Sequence, residues 1–103
     1  MTAEPTSGEI LDALRGVVDP EMGINIVDLG LVYETGARDG DVRVVMTMTT
    51  AACPLGESMV DEAEAVIRRR VRGVKSVSVQ LVWEPAWQPS MMSAAAREQL
   101  GWK

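Results

Sequence analysis

Apolar positions recur at helical spacing at the start of the chain. Ile10, Leu11, Leu14, Val17 and Val18 form one stripe and predict a helix from Ser7 to Val18. Ser7 can cap it, and Pro20 ends it, because the residue before a proline avoids the helical region. The period then changes to two. Val27, Leu29, Leu31 and Tyr33 alternate with other residues and predict a strand over Val27–Thr35. A turn at Gly36-Ala37-Arg38-Asp39-Gly40 leads to a second strand, Asp41–Thr49, where Val42, Val44, Met46 and Met48 alternate with Arg43, Val45, Thr47 and Thr49. So short a connection implies an antiparallel hairpin.

Helical spacing returns over Pro54 to Val71, with Leu55, Met59, Ala63, Val66, Ile67 and Val71 on one face. The first half of this segment carries Glu57, Asp61, Glu62 and Glu64, and its end carries Arg68, Arg69, Arg70 and Arg72. That order complements the helix dipole at both ends, and Gly73 is a stop signal. A third strand, Val74–Trp83, alternates Val77, Val79, Leu81 and Trp83 with Ser76, Ser78, Gln80 and Val82. Glu84-Pro85-Ala86-Trp87-Gln88-Pro89 must be irregular, since its prolines cannot donate to a ladder. Ser90 can cap a last helix through Leu100, closed by Gly101. The order is α-β-β-α-β-α. Strand-helix-strand in one sheet makes the second and third strands parallel, so the expected fold is a small two-layer α+β sandwich with a three-stranded mixed sheet.

At 103 residues and 47% hydrophobic content the chain reads as one globular domain, 1–103, with residues 1–6 as a flexible tail. There is no histidine, which excludes a Ser-His-Asp or Cys-His nucleophile pair and any His-based metal site within the chain. The single cysteine, Cys53, excludes an internal disulfide and every two-cysteine zinc or redox motif. A net charge of −5 argues against a nucleic-acid partner. Dipole complementation accounts for the cluster Arg68, Arg69, Arg70, Arg72 and Lys75 without one. Apolar runs such as Val44-Val45-Met46 are far too short to span a bilayer, and the first residues carry neither a basic start nor an apolar signal core. Together with the lone thiol this points to the reducing cytoplasm.

Candidate chemistry falls in three places. Proline favours the first helical position, so Pro54 puts Cys53 at a helix N-cap, where the dipole and unpaired amides lower a thiol pKa. Thr49 and Thr50 add hydroxyls beside it. The competing reading is a cysteine that merely fills space as a small hydrophobe. The second place is the loop from Val18 to Gly30, where Asp19, Glu21 and Asp28 are hard-ligand carboxylates or, equally, turn-forming residues. Gly23 and Gly30 occupy positions where an EF-hand needs ligands, which excludes that motif. The third is tryptophan: Trp83 and Trp102 read as cover for one end of the core, and Trp87 as either core or partner surface.

Taken together, Asp19-Pro20-Glu21, Asn25-Ile26-Val27-Asp28-Leu29-Gly30-Leu31-Val32-Tyr33, Met46-Thr47-Met48-Thr49-Thr50 with Cys53-Pro54, and Trp83-Glu84-Pro85-Ala86-Trp87 resemble the SufT-like iron–sulfur cluster assembly family, long catalogued as a domain of unknown function. The resemblance runs from about residue 8 to residue 101; Met22 replaces a frequent leucine and Ala86 a common proline. It implies the same α+β sandwich and a functional cluster of Asp19, Glu21, Thr49, Thr50 and Cys53, with Cys53 as a transient metal ligand. It also implies a non-enzymatic role in maturing iron–sulfur proteins through the SUF system, as carrier or adaptor. The cargo would be iron or a transient iron–sulfur cluster, not needed for folding. The partners would be an assembly scaffold or client apoproteins, with a homodimer as one route to more ligands. A cluster takes about four protein ligands and one chain offers a single thiolate, which favours a transient carrier over a stable redox protein. Two other readings stay open: an interaction module that grips a partner near Trp87, and a thiol enzyme using Cys53 with Glu21 or Asp19 as base.

Overall fold

Helix α1 spans Ser7–Leu14 in the computed structural model of the chain, which describes residues 5–20, 22–49 and 56–101. Its N-cap is Thr6 rather than Ser7. The Thr6 hydroxyl accepts from the Glu9 amide while the Glu9 carboxylate accepts from the Thr6 amide. Thr6 wins because it has a glutamate three residues on, which completes a capping box; Ser7 has Ile10 there. The helix is also shorter than expected at its other end. Val18–Asp19 (β1) leaves the helical path and pairs antiparallel with Ile24–Asn25 (β2). Val17 remains fully buried, but Val18 is 46% exposed. Pro20 sits in the turn of this ribbon, closed by the Gly23 amide donating to the Asp19 carbonyl at 2.7 Å, with Gly23 at φ +70°.

The main sheet contains β3 (Val32–Arg38), β4 (Asp41–Met46) and β5 (Ser76–Leu81) in the order β3-β4-β5. β3 and β4 are antiparallel and β4 and β5 parallel, so the sheet is mixed. The strand expected from Val27 begins only at Val32, because residues 26–30 form a turn. The expected five-residue turn is a two-residue one: Arg38 faces Asp41, and Asp39 and Gly40 take φ of 53° and 85°. Positive φ at both central positions matches the right-handed twist of the flanking strands, and Asp-Gly supplies it cheaply. β4 stops at Met46 instead of Thr49, since the Thr47 amide turns away to the Leu31 carbonyl at 2.8 Å.

Helix α2 runs over Gly56–Arg70; its expected start at Pro54 lies outside the described residues. Met59, Ala63, Val66 and Ile67 form its buried stripe, Val71 continues it, and Gly73 ends the turn that follows at φ +79°. They meet Ile10, Leu14, Val42, Val44 and Met46 in one core between the helices and the sheet. After β5 the chain passes Pro85, makes a 3-10 turn at Pro89–Met91 and ends in α3, Ala94–Gln99. The cap of α3 is Ser93, whose hydroxyl accepts from the Ala96 amide, and not Ser90, which the 3-10 turn absorbs. Trp83 does not cover the core. It is 43% exposed, lies beyond the end of β5 and is not among the residues packed against the core. Trp102 lies outside the described residues.

Candidate functional site

The loop over residues 25–31 is built by its own side chains. Asn25 Oδ1 accepts from the Asp28 amide at 2.9 Å, and Asn25 Nδ2 donates to Asp28 Oδ2 at 2.8 Å. These two bonds make a local turn from a sequence that otherwise alternates like a strand. Leu29 and Leu31 still reach the core and are fully buried. Gly30 has φ +79°, and a Cβ there would lie 2.3 Å from the Met91 carbonyl oxygen, so no other residue fits without moving backbone.

The same loop ties together three parts of the molecule. The Ile26 amide donates to the Val17 carbonyl at 3.0 Å, the Leu31 amide to the Ile26 carbonyl at 3.0 Å, and the Thr47 amide to the Leu31 carbonyl at 2.8 Å. This backbone path runs from the residue before β1 to the residue after β4. It couples the acidic ribbon to the strand end that leads toward α2. On the other side of the loop, the Ser93 amide donates to the Asp28 carbonyl at 2.8 Å and Trp87 Nε1 donates to the Leu29 carbonyl at 2.6 Å.

Asp19 lies in β1 and is only 2% exposed, with Oδ1 accepting from the Met22 amide at 3.3 Å. Thr49 is half-buried in the bend after β4. Glu21, Thr50 and Cys53 lie outside the described residues. Asp28, grouped with Asp19 by sequence, spends its carboxylate on Asn25 and behaves as a turn former. Among the described residues, no three carboxylates or thiols gather closely enough to hold a metal ion. Trp87 is half-buried against the core, its indole donor taken by Leu29. Among the described residues no helix is long and apolar enough to cross a membrane.

Sequence reasoning passed over a groove of about 740 Å³ on the sheet face turned away from α1 and α2, floored by Val45 and Val82. Tyr33 and Met91 wall it, with the Tyr33 hydroxyl donating to the Pro85 carbonyl at 2.6 Å. The signal was present. Val45 and Val82 are apolar residues on the side of each strand that alternation assigns to solvent.

Comparison with known proteins gives this architecture a family. The model of the iron–sulfur cluster assembly protein family matches residues 8–81. An Fe-S protein maturation auxiliary factor of Porphyromonas gingivalis is 41% identical over 93% of this chain and 91% of its own length. The Fe-S protein maturation auxiliary factor SufT of Staphylococcus aureus is 41% identical over 82% of this chain and 97% of its own. A crystal structure of a domain of unknown function, DUF59, from Bacillus anthracis superimposes with a TM-score of 0.89 at 35% identity, covering 93% of this chain and 92% of that one. The chain belongs to the iron–sulfur cluster assembly protein family.

Proposed function

We propose that this chain is a maturation factor for iron–sulfur proteins, a carrier or adaptor rather than an enzyme, with iron or a cluster as its cargo. Family membership and the near full-length similarity to maturation auxiliary factors support the role. The observation that carries the site is the backbone path Val17–Ile26–Leu31–Thr47. It holds the buried Asp19 loop in fixed relation to the end of β4, from which Thr49, Thr50 and Cys53 follow in sequence. In this reading Cys53 is the soft ligand, and Asp19 and Glu21 are hard donors that complete a weak, exchangeable coordination. One thiolate per chain keeps the cargo labile, which suits transfer to a scaffold or a client apoprotein.

Anaerobic reconstitution with ferrous iron and sulfide, followed by visible absorption and iron counting after desalting, tests the reading. The parent chain takes up iron and Cys53→Ser loses most of it. Equal retention by Cys53→Ser would remove the thiolate from the site. No uptake by the parent, with client activation intact, would leave an adaptor without cargo.

A further inference from the structure

The two edges of the main sheet are built differently. The β3 edge is defended against pairing with another chain. It has a register shift between Val32 and Glu34, exposed charges at Glu34 and Arg38, and the Ser7 hydroxyl of α1 donating to the Thr35 carbonyl at 3.1 Å. The β5 edge has none of these devices. Its six residues, Ser-Val-Ser-Val-Gln-Leu, include no charge and no proline, and they pair with β4 in unbroken register from Asp41↔Ser76 to Met46↔Leu81. Among the described residues β5 ends the strand order, so its outward amides and carbonyls face no further strand of the sheet.

Beside that edge the helical layer stops short. Val77, Val79 and Leu81 are only half-buried, and a cleft of about 320 Å³ lies between Val79 and Leu81 of β5 and Val60 of α2, with Glu57 and Asp61 at its mouth. Helical periodicity puts Asp61, Glu64, Arg68 and, just past the helix, Arg72 on this flank. The flank therefore runs from acidic to basic. None of these four charges forms an ion pair within 4 Å among the described residues, where the pair present is Arg15–Asp12.

We infer that the β5 edge is a self-association surface whose occupant is a second copy of this chain, bound antiparallel through β5 so that two sheets become one of six strands. A two-fold axis through Ser78 sets Val77 opposite the partner's Val79 and keeps both on the helical side, so the apolar face continues across the joint. The two α2 helices then lie side by side in opposite directions. Glu64 meets the partner's Arg68 and Asp61 meets the partner's Arg72, a pairing centred near Val66. The strand and helix centres agree. Val60 and Asp61 lie beside Val79 and Leu81. Six further helix residues cover about 9 Å, or about three strand residues, which reaches Val77–Ser78. One axis thus satisfies the edge, the cleft and the charge gradient. The inference does not depend on iron chemistry, so it stands or falls apart from the proposed function.

Sedimentation equilibrium of the full chain across a concentration series tests it, with no metal present. The parent shows a monomer–dimer equilibrium that weakens several-fold as salt rises from about 0.05 to about 0.5 M, because exposed pairs are screened. Asp61→Lys/Glu64→Lys makes the flank wholly basic and Arg68→Glu/Arg72→Glu makes it wholly acidic, and each variant alone is monomeric. Mixed together they form a one-to-one heterodimer, which also shows that both are folded. A parent chain that stays monomeric at about millimolar concentration would overturn the inference. So would a dimer indifferent to both charge reversals, or a mixture that does not associate.

Discussion

The indole Nε1 of Trp87 donates a hydrogen bond of 2.6 Å to the carbonyl oxygen of Leu29, residues far apart in sequence. Leu29 is fully buried, so its carbonyl has no ready substitute in water. The bond pins the irregular segment after β5 to the turn that also receives the Ser93 amide and fits Gly30 against Met91. Trp87 is therefore first a structural residue, whatever its exposed part contacts.

Trp87→Phe keeps most of the apolar bulk and removes the donor. Leaving a buried carbonyl unpaired costs about 1–3 kcal/mol. In a domain of this size each kcal/mol lowers the melting temperature by about 4–8 °C. Trp83→Phe is the control: Trp83 is 43% exposed and lies off the core, so the variant's unfolding free energy in urea stays within about 0.5 kcal/mol of the parent. Equal losses in the two variants would mean that the Leu29 bond contributes nothing.

Two glycines separate backbone requirement from mere smallness. Gly30→Ala must place a Cβ 2.3 Å from the Met91 carbonyl oxygen at φ +79°, so backbone has to shift, and thermal unfolding reports a loss of more than about 2 kcal/mol. Gly36 lies in β3, outside the left-handed region, and a Cβ added to it would meet nothing within 4 Å. Gly36→Ala is neutral or stabilises by up to about 1 kcal/mol by restricting the unfolded chain.

Much of this fold can be read from residue periodicity. The buried stripe of α2, the alternating faces of β4 and β5 and the mixed sheet all follow from it, because in each a single face meets the core. The stretch from Val27 to Tyr33 misleads for a physical reason. Leu29 and Leu31 alternate as in a strand and are both buried, yet the backbone between them turns. What decides is the side-chain bridge between Asn25 and Asp28 and the left-handed Gly30, signals carried by residue identity rather than by hydrophobicity. The same competition ends α1 early: Val17 and Val18 continue its stripe, but β1 pairing takes the backbone of Val18 and the Ile26 amide takes the Val17 carbonyl. Of the candidate site, Asp19 and Thr49 are placed on segments joined by the Val17–Thr47 path, and the turn role of Asp28 was one of two readings open to sequence.

Asn25→Ala removes both bonds that shape the central turn, with Asp28 losing an acceptor for its amide and a donor for its carboxylate. Both groups are only partly buried, so water recovers some of the loss and the expected cost is about 1–2 kcal/mol. Hydrogen exchange localises it. The Leu31 and Thr47 amides, which rest on this turn, exchange faster than in the parent, while amides within α2 change only with global stability. Uniform acceleration of all amides would show that the turn has no local stability of its own.

Asp19 and Asp28 provide the sharpest separation between site and scaffold. Asp19→Asn retains an oxygen to accept from the Met22 amide, so the ribbon survives while one carboxylate charge is lost from a 2% exposed position. Under the proposed function this variant holds iron several-fold less tightly after reconstitution, because a hard anionic donor has become a neutral amide. Asp28→Asn likewise keeps an oxygen toward Asn25, but that carboxylate serves the turn and not the cargo. It therefore loses a little stability and no iron. Competition with a chelator of graded strength, read as iron retained per chain, distinguishes the two. Equal retention by both variants would confine the cargo to the Cys53 side and leave Asp19 as a buried support for the β1–β2 turn.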